Sequence, residues 1–156
     1  QHSHIGYNYR MSNIVAGVGR GQMEVLPQRV EARRANYARY RDYFATLGSR
    51  GYEVHLQPEP EGHYSNRWLT AIALNPARNR GISRETLRLA FEAENIETRP
   101  LWKPMHLQPV FAGSPFFGDG SSERLFDEGL CLPSGSNLTE ADFERIFAVL
   151  DRVFGV

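Results

Sequence analysis

Apolar and polar positions alternate along this chain with two different periods. From Ser12 to about Leu26 the spacing is helical, and Ser12 is a suitable N-cap. Pro27 interrupts that run and is accepted in the first turn of a new helix. A second helix is therefore predicted from about Pro27 to Leu47, with Val30, Ala35, Tyr37, Tyr40, Phe44 and Leu47 as its apolar stripe. Gly48 and Gly51 end it. Tyr52–Leu56 alternates as a short strand, and Arg67–Leu74 reads as the strongest strand of the chain. Ser83 opens a helix to about Glu94 with Leu87, Ala90 and Phe91 inward. Asn95–Arg99 reads as another short strand. Pro100, Pro104 and Pro109 forbid regular structure in the next segment. A short helix is predicted near Ser122–Glu128 and a last strand at Leu130–Pro133. Thr139 and Asp142 form a capping box for a final amphipathic helix carrying Phe143, Ile146, Phe147, Leu150, Val153 and Phe154. Helices first, then strands separated by helices, predict a two-layer α/β sandwich with a small, mainly antiparallel sheet.

Composition narrows the picture only slightly. The 156 residues suit about one domain with a real core. Lys+Arg and Asp+Glu both number 18, so no charge excess points to nucleic acid or a membrane surface. One cysteine excludes an internal disulfide framework and suits a reducing cytoplasm. No apolar run approaches the roughly 20 residues of a membrane span. His2 and His4 fall short of the three or four ligands a metal needs, so no metal site is expected.

Chemistry concentrates in two stretches. In Gly6-Tyr7-Asn8-Tyr9-Arg10-Met11-Ser12-Asn13 an amide, a guanidinium and two phenols precede a helix rich in small residues (Ala16, Gly17, Gly19, Gly21). Glycine in a helix costs about 1 kcal/mol against alanine, which fits a place where another backbone or a ligand comes close. The second stretch runs from Arg99 to Phe111 and carries Arg99, Trp102, Lys103 and His106. For Arg10, pairing with a phosphate and a loop-ordering salt bridge both remain open. For Trp102 and His106, contact with a sugar stands beside core packing and loop ordering. The arginines Arg29, Arg33, Arg34, Arg39 and Arg41 read as a solvated helix face, although a phosphate could use them. Cys131 reads as a small buried hydrophobe.

These stretches, with Ser65-Asn66-Arg67-Trp68-Leu69-Thr70 and Leu130-Cys131-Leu132-Pro133-Ser134-Gly135-Ser136-Asn137-Leu138-Thr139, resemble in order the C-terminal part of the DegT–StrS sugar aminotransferases, which use pyridoxal 5'-phosphate (PLP). The Arg99–Phe111 stretch is similar to the members that aminate UDP-linked N-acetyl-4-keto-6-deoxy sugars of the bacillosamine type. The resemblance implies the small C-terminal domain of a fold-type I enzyme behind a long connecting helix, with residues 1–50 as interface loop and connecting helices and 51–156 as the small domain. It implies that Asn8 donates to the PLP phosphate of a partner subunit in a homodimer. Tyr9, Arg10, Arg99, Trp102 and His106 are then candidates for the nucleotide sugar, with an amino acid, glutamate above all, as donor. The Schiff-base lysine and the acid for the pyridine nitrogen would lie upstream of Gly6. Lys103, the only lysine, sits in a different motif. The chain is accordingly expected to be an excised, inactive fragment. A non-catalytic nucleotide-sugar-binding or regulatory domain of the same fold, and a PLP-dependent sugar dehydratase, stand as alternatives.

Overall fold

The computed structural model describes residues 1–7 and 10–156. Helix α1 (Asn13–Met23) and helix α2 (Leu26–Gly48) come first. Ser12 caps α1 as expected, its hydroxyl accepting from the Val15 N–H at 3.3 Å. Strands β1 (Val54–Leu56) and β2 (Thr70–Leu74) follow, then helix α3 (Arg84–Ala93), the two-residue strand β3 (Arg99–Pro100), helix α4 (Ser121–Glu128), strand β4 (Gly129–Leu132) and helix α5 (Glu140–Phe154). The sheet order is β1-β2-β4-β3, with every pair antiparallel. No helix among the described residues is long and apolar enough to cross a membrane.

Period two along β2 decides the layers. Thr70, Ile72 and Leu74 are buried, whereas Ala71 and Ala73 are half-buried on the opposite face. Ile72 pairs with Leu130 and Thr70 with Leu132, so β4 turns the same face inward. Helices α2, α3 and α5 cover it: Tyr40, Phe44, Leu47, Leu87, Phe91, Phe143, Ile146 and Leu150 join these strand residues in one core. Both α3 and α5 begin in complete capping boxes, Ser83 with Thr86 and Thr139 with Asp142. The predicted sandwich is what forms, and α2 shares its core.

Three strands are shorter than the alternation predicts, and β1 begins only at Val54. Arg67 has φ +48°, the Trp68 N–H turns back to Asn66 Oδ1 at 3.0 Å, and the ladder starts only at Thr70. Asn95, at φ +60°, ends α3 instead of opening a strand. The Ile96 N–H donates to the Phe91 carbonyl at 2.9 Å and that of Asn95 to Glu92 at 3.0 Å, the paired bonds of a helix-terminating motif in which asparagine takes the left-handed position. The expected stripe of α2 also shifts: Ala35 is exposed and Asn36 is buried.

Candidate functional site

The uncovered face of the sheet forms the floor of a groove. Ala71 pairs with Cys131, Ala73 with Gly129, and Arg99 with Cys131, which places these positions on that face. Leu101 and Leu125 of α4 wall it, and Trp68 and Trp102 stand at its mouth, enclosing about 630 Å³. Gly129 makes this packing possible: a Cβ there would sit 2.2 Å from Leu101 Cδ1 and 2.3 Å from the Leu125 carbonyl oxygen. The two indoles lie 6.1 Å apart between ring centroids at 32°. Trp102 is 66% exposed, so it is no core aromatic, and Trp68 is 60% exposed. Aromatic faces left in water beside a groove suit stacking on a planar ring or a sugar.

Trp68 is held where it stands by α2. Arg33 Nη1 donates to the Trp68 carbonyl and, at 3.0 Å, to that of Ser134. Asn36 donates to the Gly135 carbonyl at 2.8 Å and the Tyr40 hydroxyl to that of Pro133 at 2.9 Å. Residues 33, 36 and 40 share one helical face, and they bind three successive carbonyls of the loop after β4. Ser134 closes the junction: its Oγ accepts from the Thr70 N–H at 2.7 Å and donates to the Leu132 carbonyl at 2.8 Å. The arginine cluster is therefore not wholly a solvated face.

Arg34 and Arg67 lock the loop that leads to Trp68. Arg34 forks onto Glu59 at 2.7 and 3.0 Å, and Glu59 also accepts the Ser65 N–H at 2.6 Å. Arg67 is buried, stacks its guanidinium 3.8 Å from the Tyr37 ring centroid, donates to the Gln57 carbonyl at 2.8 Å and approaches Glu59 at 3.6 Å. The Arg34 hydrogen bonds, then the Ser65 N–H, hold the Glu59 carboxyl far below its ordinary range, at about 2. A carboxyl depressed in the folded state stabilises the fold above its unfolded pKa, and that contribution disappears as pH falls through the folded value. Urea midpoints of the chain should consequently fall more steeply between pH 5 and pH 2 than those of a Glu59→Gln variant. Parallel pH profiles for the two proteins would remove Glu59 from this role.

The predicted residues separate in space. Arg99 and Trp102 share one smaller pocket with Thr98 and Ser134. Arg99 is exposed and pairs with Glu97 at 2.5 Å. His106 turns toward α4 instead: its Nε2 lies 2.6 Å from Glu123 Oε1 and its ring stacks on Phe116 at 3.7 Å. That arrangement orders the loop. Arg10 and Tyr7 are exposed, while Asn8 and Tyr9 lie outside the described residues. Lys103 is half-buried in the proline-rich segment. Cys131 is 6% exposed under the groove, and burial pushes its thiol pKa up, which leaves it a poor nucleophile. Among the described residues no three His, Cys, Asp or Glu side chains are grouped to hold a metal ion. Trp68 and Ser134 carry the groove's architecture without having been candidate site residues, and Arg33 had been read within a mainly solvated helix face, since pairing across some 35 to 100 residues leaves no local signal.

The comparisons with known proteins agree with this fold. The profile of the DegT/DnrJ/EryC1/StrS aminotransferase family matches residues 1–151. EpsN of Bacillus subtilis (strain 168), assigned to the pyridoxal phosphate-dependent aminotransferases, is 45% identical over 99% of this chain and 39% of its own length. The GDP-perosamine synthase of Caulobacter vibrioides is 32% identical over 96% of the chain and 39% of its length. Among solved structures, DesI crystallised with its TDP-sugar product superposes with a TM-score of 0.77 at 26% identity, over 92% of this chain and 36% of that one. A DegT DnrJ EryC1 StrS aminotransferase from Brucella abortus gives 0.75 at 26% identity, over 100% of this chain and 39% of that one. The chain thus spans about two fifths of the curated relatives it matches, and its fold is that of the small C-terminal domain of fold-type I aminotransferases.

Proposed function

The chain belongs to the DegT/DnrJ/EryC1/StrS aminotransferase family, and on that premise we propose that it is the C-terminal part of an enzyme that moves an amino group from an amino acid, glutamate above all, to a 4-keto-6-deoxy nucleotide sugar. The observation that carries the proposal is the family match across residues 1–151. The open groove with its Trp68–Trp102 mouth and Arg99 beside it supports a substrate with both rings and anionic oxygens. Relatives named for GDP- and TDP-linked sugars leave the nucleotide open, and the UDP linkage proposed here rests on the Arg99–Phe111 stretch.

In this reading residues 1–50 are the interface loop and connecting helices of a homodimer, and 51–156 the small domain. Helix α1 supports an interface: it buries none of its residues within the chain, and Ile14, Val15, Val18 and Met23 are more than half exposed. Bound PLP supplies the electron sink for transamination. The donor set of this chain fits only the phosphate end of that cofactor. Asn8 offers it a neutral amide, whereas Arg10, which is exposed, offers a fork for the diphosphate of the nucleotide sugar. In this reading the chain's only lysine, Lys103 between Trp102 and Pro104, sits in a different motif, and the Schiff-base lysine is assigned to another part of the protein.

The test uses the whole protein. Glutamate should convert its cofactor absorbance to that of the amino form, and a UDP-linked 4-keto-6-deoxy-N-acetyl sugar should convert it back. Borohydride reduction followed by peptide mapping should place the cofactor on a lysine outside residues 1–156. A pyridoxyl group on Lys103 with retained turnover, or no spectral response to any amino acid, would contradict the assignment.

A further inference from the structure

Beside Trp68 the β2–β4 ladder is closed by side chains. The register sets Thr70 opposite Leu132, and continued two residues outward it sets Trp68 opposite Ser134. The Ser134 hydroxyl stands between the Thr70 N–H, at 2.7 Å, and the Leu132 carbonyl, at 2.8 Å. The next two carbonyls then share one donor: Arg33 Nη1 donates to that of Trp68 and, at 3.0 Å, to that of Ser134. Arg34 and Arg39, also on α2, pair with Glu59 and Glu140, whereas these bonds of Arg33 end on backbone. Trp68 is thereby held by both of its main-chain groups, its N–H by Asn66 Oδ1 at 3.0 Å and its carbonyl by Arg33. The indole that these bonds carry stays 60% exposed, with its centroid 6.1 Å from that of Trp102.

We propose that Arg33 is a positioning residue of the groove: by joining the carbonyls of Trp68 and Ser134 across the open end of the sheet, it fixes the Trp68 indole opposite that of Trp102 and so sets how tightly a ring-bearing substrate is held. The inference rests on reading the groove as the nucleotide-sugar site. Arg33 acts through the Trp68 backbone, with no contact between its guanidinium and the substrate. A charged donor suits the task, because its hydrogen bonds are stronger than those of a neutral one. Strand pairing in β2 begins only at Thr70, so residue 68 has no ladder to hold it once Arg33 is gone. Ser134 is buried, and a buried carbonyl without a donor is costly. Both effects free the chain at residue 68 to turn.

The experiment compares the whole protein with its Arg33→Met and Arg33→Gln variants, each also made beside Trp68→Leu. Methionine keeps an unbranched side chain and loses both bonds, whereas glutamine offers a shorter, neutral donor. Two quantities are read: fluorine NMR of protein labelled with 5-fluorotryptophan, in which Trp68→Leu identifies the Trp68 signal, and steady-state kinetics with the UDP-linked 4-keto-6-deoxy-N-acetyl sugar. Hydrogen exchange of the Ile72 and Leu130 amides is the control for the sheet. For Arg33→Met a displaced Trp68 signal with unchanged sheet amides is expected. KM for the nucleotide sugar should rise about threefold to tenfold, the range of one lost aromatic contact, while kcat stays within about twofold. Beside Trp68→Leu the same change should raise KM by less than about twofold, because the ring it positions is gone. Arg33→Gln should show this pattern at smaller size. An unmoved Trp68 signal overturns the clip. A moved signal with unchanged KM overturns the positioning role, and so does a rise in KM that persists in full beside Trp68→Leu. If the methionine variant loses its sheet protection, the same criteria decide on Arg33→Gln. A wild-type protein that turns over no nucleotide sugar defeats the functional reading, and the positioning role with it. A wild type that does turn it over, with a Trp68 signal that stays in place in the variants, defeats the positioning role alone.

Discussion

Phe143→Ala should lower the stability of this domain by about 3–5 kcal/mol, the usual cost of deleting a buried phenylalanine. Phe143 is 1% exposed and sits where α5 meets α2. Its ring lies 5.5 Å from that of Tyr40 and 5.6 Å from that of Phe147, and the Arg39 guanidinium covers it at 3.9 Å. Truncation removes the buried area and both aromatic contacts, and it leaves a cavity where α5 meets α2. Folded domains hold only about 5–15 kcal/mol in total, so the variant would be near its unfolding threshold. Phe117→Ala is the matching control, because Phe117 is 93% exposed and a surface change of this kind stays within about 0.5 kcal/mol. Urea titration of the two variants should give well-separated midpoints. Near-equal midpoints would mean that α5 does not dock as described.

What made the fold legible is local. The capping residues Ser12, Ser83 and Thr139 each begin the helix they announce, because a cap is decided by the first turn alone. Alternation in Ala71–Leu74 held because one face of β2 is buried and the other is not. Where the reading went astray, local turn and cap bonds competed with the ladder for the backbone. Asn66 and Ser65 turn the chain before Thr70, and the left-handed Asn95 terminates α3. An alternation count does not register such bonds. The groove was legible only in part. Trp102 stood out as a large ring in a proline-rich segment, but its partner Trp68 read as a strand residue, and it is positioned by Arg33 from 35 residues away. His106 shows the same limit: residue type offers its ring as a sugar contact but does not reveal the Glu123 and Phe116 contacts it makes. Gln108, unremarkable by residue type, turned out to be buried with both amide atoms paired.

In the whole protein, Asn8→Ala is expected to weaken PLP retention about tenfold to a hundredfold without unfolding it, since a hydrogen bond to a charged phosphate contributes about 1.5–3 kcal/mol. The proposed site is composite, with Asn8 of one subunit serving the cofactor of the other. That arrangement has a consequence which a site contained in one subunit does not share. Consider a dimer of one Asn8→Ala subunit and one subunit without its Schiff-base lysine. If Asn8 acts across the interface, the site on the Asn8→Ala subunit has its own lysine and receives an intact amide from its partner, while the other site collects both defects. If Asn8 acts within its own subunit, each site carries one defect and neither is whole. Co-expression with two different affinity tags isolates the mixed dimer, and assay near the wild-type PLP dissociation constant keeps the Asn8→Ala defect visible. Cross-subunit service predicts about half the wild-type activity per mixed dimer, one intact site of two. Activity no higher than half that of the Asn8→Ala homodimer, in heterodimers shown to be present, would assign Asn8 to its own subunit and remove the composite site.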